Sequence, residues 1–218
     1  MMKRNMMVAG VVGVIVILAL LLANGSPLQH SAAVEGTREY IIPSYVVALT
    51  NKPVDEQVAS FLATPREERL FEDARAGDNG ELIIVATPEQ ALHALQDTNA
   101  WIADIEEWAL NEERGYRLTF NEDRTKFTYW IDQHASPIAS DAYSRMALMA
   151  ALEYQIYSGI PADECLVAFT IFDVERDKVF FQSTFPPDAY CVNPSDLITG
   201  VPTYGTGEHV FFELTETE

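Results

Sequence analysis

The first pattern along the chain is an uninterrupted apolar run over residues 6–23, which follows the basic residues Lys3 and Arg4. As a helix at about 1.5 Å per residue, this run is roughly 27 Å long, close to the hydrocarbon thickness of a bilayer. It predicts a membrane anchor over residues 1–23 that contacts the lipid bilayer through residues 6–23. Representative side chains of this anchor are Val8, Val12, Ile15, Leu18 and Leu22.

The positive charges before the apolar run predict a single-pass orientation with a cytoplasmic N-terminus and an extracytoplasmic remainder. A cleaved signal peptide usually has a shorter apolar region of about 7 to 15 residues, so the length favours a retained anchor. Small residues around Gly25 and Ala33 leave signal cleavage open, with a secreted domain as the result. Residues 24–38 are small and polar, which is typical of a flexible linker.

Beyond the linker, short apolar stretches alternate with turn residues. Residues 39–50 predict a strand that Pro43 either confines to a sheet edge or interrupts, and residues 54–61 and 65–76 predict short helices. Residues 82–86 predict a buried strand, and a helical stretch follows from Pro88 to Gln96.

The second half of the chain has the clearest periodicity. A helix is predicted from a cap at Thr98 or Asn99 to Arg114, with Gly115 ending it, and a second helix from Ser136 or Ser140 to Ser158. Alternating residues predict a hairpin over 116–131. A second hairpin is predicted over 165–185, with a turn at residues 175–177. Residues 166–172 of this hairpin are apolar on both faces, as in the middle of a sheet. Residues 209–214 predict a further strand, and residues 215–218 a frayed tail.

This order of elements predicts the fold class α+β. We expect an antiparallel sheet built from hairpins, with helices packed on one face, preceded by a single N-terminal transmembrane helix. The folded part is expected to be one extracytoplasmic domain over residues 39–214.

Charge narrows the range of partners. The chain has 14 Lys and Arg against 33 Asp and Glu, a net charge of -19. Nucleic-acid binding is excluded because phosphates are held by clustered basic side chains. Acidity of this degree also fits adaptation to salty surroundings, in which case the charge carries no information about partners.

Few of the residues that could act in catalysis or metal binding form a recognisable motif. Cys165 and Cys191 predict a disulfide in an exported chain, with two buried thiols as the alternative. The spacing of the histidines matches no zinc pattern, so no metal and no cofactor is expected. Asp132 and His134, with Asp141 nearby, are the only group that suggests an envelope or secreted hydrolase, and no G-x-S-x-G elbow supports it.

One predicted surface favours binding. In the hairpin over residues 116–131, alternation places Trp130 opposite the core, beside Arg117 and Thr128. Trp and Arg are enriched at the centres of protein interfaces. A second layer that covers this face is the alternative. The chain therefore predicts a membrane-tethered extracytoplasmic binding or adaptor domain, non-enzymatic, with an envelope or surface protein as its partner.

Overall fold

A computed structural model describes residues 36–50 and 52–186. The predicted anchor, most of the linker, Cys191 and the predicted strand over residues 209–214 lie outside the described residues. The chain divides into two compact units, residues 1–94 and 95–218. In the described part of both units, no helix combines the length and the apolar character needed to cross a membrane.

The described part of the first unit is built around a three-stranded antiparallel sheet. Its strands are β1 (Arg38–Ile42), β2 (Asp73–Ala76) and β3 (Leu82–Ala86), in the order β1-β3-β2. Between β1 and β2 lie the helices α1 (Ser44–Ala48) and α2 (Val54–Ala63) and a 3₁₀ turn (Arg66–Glu68). Ile84 and Ala86 of β3 are buried, and the rings of Phe61 and Phe71 lie 6.3 Å apart.

Two predicted elements of this unit are wrong in extent or type. The predicted strand over residues 39–50 ends at Ile42, because Pro43 begins α1. The predicted helix over residues 65–76 is a 3₁₀ turn followed by β2, in which Ala74 pairs with Ile84. Pairing with a neighbouring strand overrides weak helix propensity here, because it satisfies the backbone hydrogen bonds of β2.

Helix α3 (Pro88–Trp108) replaces two predicted helices. Thr87 caps it reciprocally with Gln90: Gln90 N donates to Thr87 Oγ1 at 3.2 Å, and Thr87 N donates to Gln90 Oε1 at 2.9 Å. The predicted cap residue Thr98 is instead buried in the middle of the helix. Residues 97–99 lower helix propensity by only about 0.5 kcal/mol each, which burial of the flanking apolar side chains outweighs.

The described part of the second unit contains a four-stranded sheet in the order β4-β5-β6-β7. The strands are β4 (Arg117–Phe120), β5 (Lys126–Ile131), β6 (Val167–Asp173) and β7 (Lys178–Phe185). Both predicted hairpins are confirmed as the antiparallel pairs β4–β5 and β6–β7.

The two hairpins join in a way that differs from the purely antiparallel sheet expected from the sequence. Strands β5 and β6 are parallel, so the sheet is mixed and not purely antiparallel. Helix α4 (Pro137–Tyr157) makes the connection between them, because parallel neighbours need a long crossover. The α+β class is confirmed.

Helix α4 packs against β5 and β6, and its middle, residues 147–152, is buried. Its residues Ala147, Leu148, Ala150, Ala151 and Leu152 are each 0% exposed. The predicted central helix and the central position of β6 are therefore both confirmed.

Candidate functional site

The two faces of the four-stranded sheet differ in composition. The face towards α4 is the core of the second unit and carries buried Leu118, Phe127, Tyr129, Phe169 and Ile171. Burial raises the pKa of Tyr129 to about 12, although the neighbouring Ser140 side chain lowers it. We call the opposite face of the sheet, which carries the alternate residues, the outer face.

The outer face has two rows of side chains that cross all four strands. Register places Arg117 opposite Trp130, Trp130 beside Phe172, and Phe172 opposite Val179. The second row consists of Thr119, Thr128, Thr170 and Gln182. An apolar and aromatic row therefore lies next to a row of hydroxyl and amide groups.

The apolar row is accessible to solvent in part. Val179 is 52% exposed, Arg117 is exposed, and Trp130 and Phe172 are each partly exposed. The guanidinium carbon of Arg117 lies 4.1 Å from the centroid of the Trp130 ring, within the range of a cation–π contact. This contact holds Arg117 over the indole. The predicted juxtaposition of Arg117, Thr128 and Trp130 is thus present, and their role in binding stays a prediction.

The outer face is locally basic. Lys126 lies on the same face of β5 as Thr128 and Trp130, and it is exposed. Among the described residues, no carboxylate forms an ion pair with Arg117 or Lys126. Arg117 and Lys126 therefore place two exposed cations on one sheet face of a chain whose net charge is -19.

An open groove of about 700 Å³ lies at another part of the second unit. Its lining residues are Glu113, Arg114, Gly115, Asp132, His134, Val174 and Glu175. It contains Asp132 and His134, two members of the group that suggested a hydrolase.

Asp132 is held by several donors. Its Oδ1 accepts hydrogen bonds from the Tyr116 hydroxyl and, at 2.7 Å, from His134 N, while Arg114 Nη1 lies 3.9 Å from its Oδ2. Burial of Tyr116, together with the Asp132 carboxylate, raises the pKa of the tyrosine well above its usual value. The contact between Asp132 and His134 is to the backbone and orients the loop rather than the imidazole.

Asp141, the remaining member of the suggested hydrolase group, and the two serines near it do not line the groove. Asp141 pairs with Arg145 one turn later in α4 at 2.6 Å and does not line the groove. Ser136 caps α4 through Ala139 N, and Ser140 is buried. Within the described residues, no cluster of three or more His, Cys, Asp or Glu side chains could hold a metal ion.

Cys165 lies in the loop before β6, where its thiol is buried. Its Sγ lies 3.4 Å from the Pro161 carbonyl oxygen and 3.8 Å from that of Ile160. Burial, with help from Asp163 and Glu164, raises the pKa of the thiol to about 11. Cys191 lies outside the described residues, so the disulfide stays a prediction.

Local sequence patterns did not indicate the outer-face residues of the second hairpin, among them Phe172 and Val179. Strict alternation along β7 would group Val179 with Phe181 and Phe185 on the core face, and only the register shift between Ile171 and Phe172 places it opposite Phe172. Alternation also does not say which face of the first hairpin Phe172 joins. The parallel register of β5 with β6 decides this, because it places Phe172 beside Trp130.

No family model, no curated protein and no solved structure matches this chain.

Proposed function

We propose that this protein is a membrane-tethered extracytoplasmic binding domain whose outer face binds an envelope or surface protein. The contact between Arg117 and Trp130 carries the proposal. It presents an amphipathic aromatic ring, together with a cation that has no carboxylate partner among the described residues, on a partly exposed sheet face. Trp and Arg are the residues that most often dominate binding energy when they are buried at an interface centre.

The arrangement of the outer face supports binding rather than catalysis. The apolar row from Trp130 to Val179 can lose water against a partner, and the neighbouring row of Thr and Gln side chains can exchange hydrogen bonds with it. By contrast, the Asp132 carboxylate in the groove already accepts bonds from Tyr116 and from the loop backbone.

The proposed location rests on the sequence. Residues 6–23 are proposed to span the bilayer, with Lys3 and Arg4 on the cytoplasmic side. Membrane fractionation of native cells, followed by mass spectrometry of the N-terminus, tests this. Retention of residues 1–23 in the membrane fraction supports the tether. A soluble protein trimmed near Gly25 or Ala33 would mean a secreted domain instead.

A photo-crosslinking amino acid at Thr119 tests the binding face, because Thr119 is exposed and flanks the apolar row. The same amino acid at Ala103, which is exposed on α3, serves as the control. We expect one discrete protein adduct from position 119 in intact cells and none of that mass from position 103.

Two matched substitutions complete the experiment. Trp130→Ala should remove the adduct, while Trp108→Ala, the same change at a partly exposed position of α3, should leave it. A thermal midpoint that falls by many degrees in Trp130→Ala would make Trp130 a core residue and overturn the proposal. Persistence of the adduct in Trp130→Ala would also overturn it.

A further inference from the structure

We propose that residues 208–218 of this chain dock on the outer face of the four-stranded sheet and compete there with the protein partner. The regulatory part of this inference rests on the proposed function, whereas the docking itself does not. Four observations support the docking: the two rows of side chains on the outer face, the charge of that face, the composition of residues 208–218, and the length of chain that connects them to β7.

The outer face provides a site for an extended apolar segment. The row from Arg117 to Val179 runs across all four strands, and Val179 at its far end is 52% exposed. The adjoining row of Thr119, Thr128, Thr170 and Gln182 has side chains that donate and accept hydrogen bonds. An occupant of this face would therefore be apolar in part, and able to make polar contacts along one side.

The charge of the outer face specifies the sign of the occupant. Arg117 and Lys126 have no carboxylate partner among the described residues, so an acidic segment could form ion pairs with both. A basic segment would be repelled at the same two positions.

Residues 208–218 have the matching chemistry. Their sequence, EHVFFELTETE, contains four glutamates and neither Lys nor Arg. The apolar side chains Val210, Phe211, Phe212 and Leu214 are grouped among these acids, and the pattern predicts a strand over residues 209–214.

The connection is long enough. Strand β7 ends at Phe185, and residues 186–207 join it to the segment. A chain of this length can span up to about 70 Å. Four strands at about 4.8 Å spacing are roughly 15 Å wide. The connection is therefore long enough for the segment to reach any strand of its own sheet.

Photo-crosslinking within the purified full chain in detergent micelles tests the docking. A photoreactive phenylalanine analogue replaces Phe212, and the attached peptides are identified by mass spectrometry. We expect intramolecular adducts to residues of β4 to β7 on the outer face, above all at or beside Trp130. The control places the same analogue at Ile198, in the same connection but outside the acidic segment, and should give few adducts to this face.

Charge reversal adds a second readout. Arg117→Glu should lower the yield of the adduct by about fivefold, as expected from the loss of one exposed ion pair and the gain of a repulsion. Adding Glu213→Arg and Glu216→Arg to this variant should restore the yield. An unchanged thermal midpoint in Arg117→Glu checks that the sheet is intact.

Other outcomes overturn the docking. Adducts only between two chains would mean that a second copy occupies the face, and adducts to other parts of the chain, or none, would remove the segment as its occupant. Failure of the proposed function is distinguishable, because this experiment needs no partner. If the intramolecular adduct forms, the double substitution Glu213→Arg and Glu216→Arg should weaken the docking and so increase partner crosslinking from position 119 in cells. No increase would overturn the competition with the partner but not the docking itself.

Discussion

Gln155 of α4 and Leu166 in the loop before β6 are joined by two hydrogen bonds. Leu166 N donates to Gln155 Oε1 at 3.2 Å, and Gln155 Nε2 donates to the Leu166 carbonyl oxygen at 3.0 Å. The same Nε2 also donates to the carbonyl oxygen of Arg124 at 3.1 Å. A single amide that is 1% exposed therefore connects the central helix to the loops before β5 and β6.

Replacing Gln155 by Leu should lower the free energy of unfolding by about 3 kcal/mol, because buried backbone groups lose their partners. Urea denaturation at pH 7 measures this from the midpoint, provided the m-value is unchanged. Gln96→Leu, the same change at an exposed position of α3, should stay within about 0.5 kcal/mol of the parent. Equal effects at the two positions would contradict the bridging role of Gln155.

Tyr116→Phe removes the hydroxyl that donates to Asp132. We expect a loss of about 1.5 kcal/mol in the free energy of unfolding, since a hydrogen bond to a charged group is lost and the largely buried carboxylate keeps fewer donors. Thermal unfolding measures this loss. The matched control is Tyr143→Phe, the same change at a partly buried position of α4. A stability equal to that of the parent would show that the Tyr116 hydroxyl does not support the groove.

Glu153 on α4 gives the stability a dependence on pH near neutrality. Burial raises its pKa to about 7, above the value of 4.5 expected for an exposed glutamate. The folded state thus binds the proton more tightly, so stability falls as the pH rises from about 4.5 through about 7. The full effect of such a shift is about 3 kcal/mol, and less here because Glu153 is partly exposed.

Glu153→Gln should therefore raise stability at pH 8 and flatten this fall. Denaturation at several pH values between 4.5 and 8.5 measures the difference between parent and variant. Glu107→Gln, at an exposed position of α3, should follow the parent curve. A Glu153→Gln curve that runs parallel to that of the parent would contradict the raised pKa.

Asp173 makes the stability depend on pH in the opposite direction, because its contribution is lost as the pH falls. Its burial alone would raise its pKa, but hydrogen bonds from the Arg176 side chain and from the backbone N–H groups of Glu175 and Arg176 outweigh this and lower it. This carboxylate contributes stability above its unfolded pKa of about 3.9. The contribution is lost as the pH falls through the lower, folded value.

Asp173→Asn should lower the free energy of unfolding by about 2 kcal/mol at pH 7, because the charged partner of Arg176 in the β6–β7 turn is lost. The difference from the parent should shrink as the pH falls below about 3.9. Asp177→Asn is the matched control, since Asp177 has φ +50°, a conformation that Asn also accepts. A difference that stays constant with pH would refute the role of the Asp173 charge.

The predicted disulfide is open to direct measurement. Phe185 pairs with Val167, so the chain leaves β7 close to Cys165, and Cys191 follows six residues later in sequence. We expect no thiol to react with an alkylating reagent in the denatured, unreduced protein. Reduction should cost about 3.5 kcal/mol of stability, as expected for a closed loop of this size. Two alkylated thiols without reduction would instead mean free cysteines.

Local sequence patterns predicted correctly those helices and strands that are specified by residues close together in the chain. The Ser136 cap and the apolar run behind it predict α4. Alternation predicts the first hairpin, and two strand-like stretches around a turn predict the second, because turn and period are properties of neighbouring residues. Alternation also places Trp130 and Arg117 on one face before any partner strand is known.

Tertiary structure decided the features that depend on distant partners. Ala74 lies in a strand because Ile84 pairs with it, and Thr98 lies inside a helix because its neighbours are buried. The apolar row of the outer face depends on the parallel pairing of β5 with β6, which no local pattern encodes. The sequence by itself determined the apolar leader, the acidity and the pairs within each hairpin, whereas long-range backbone pairing decided which side chains share one surface.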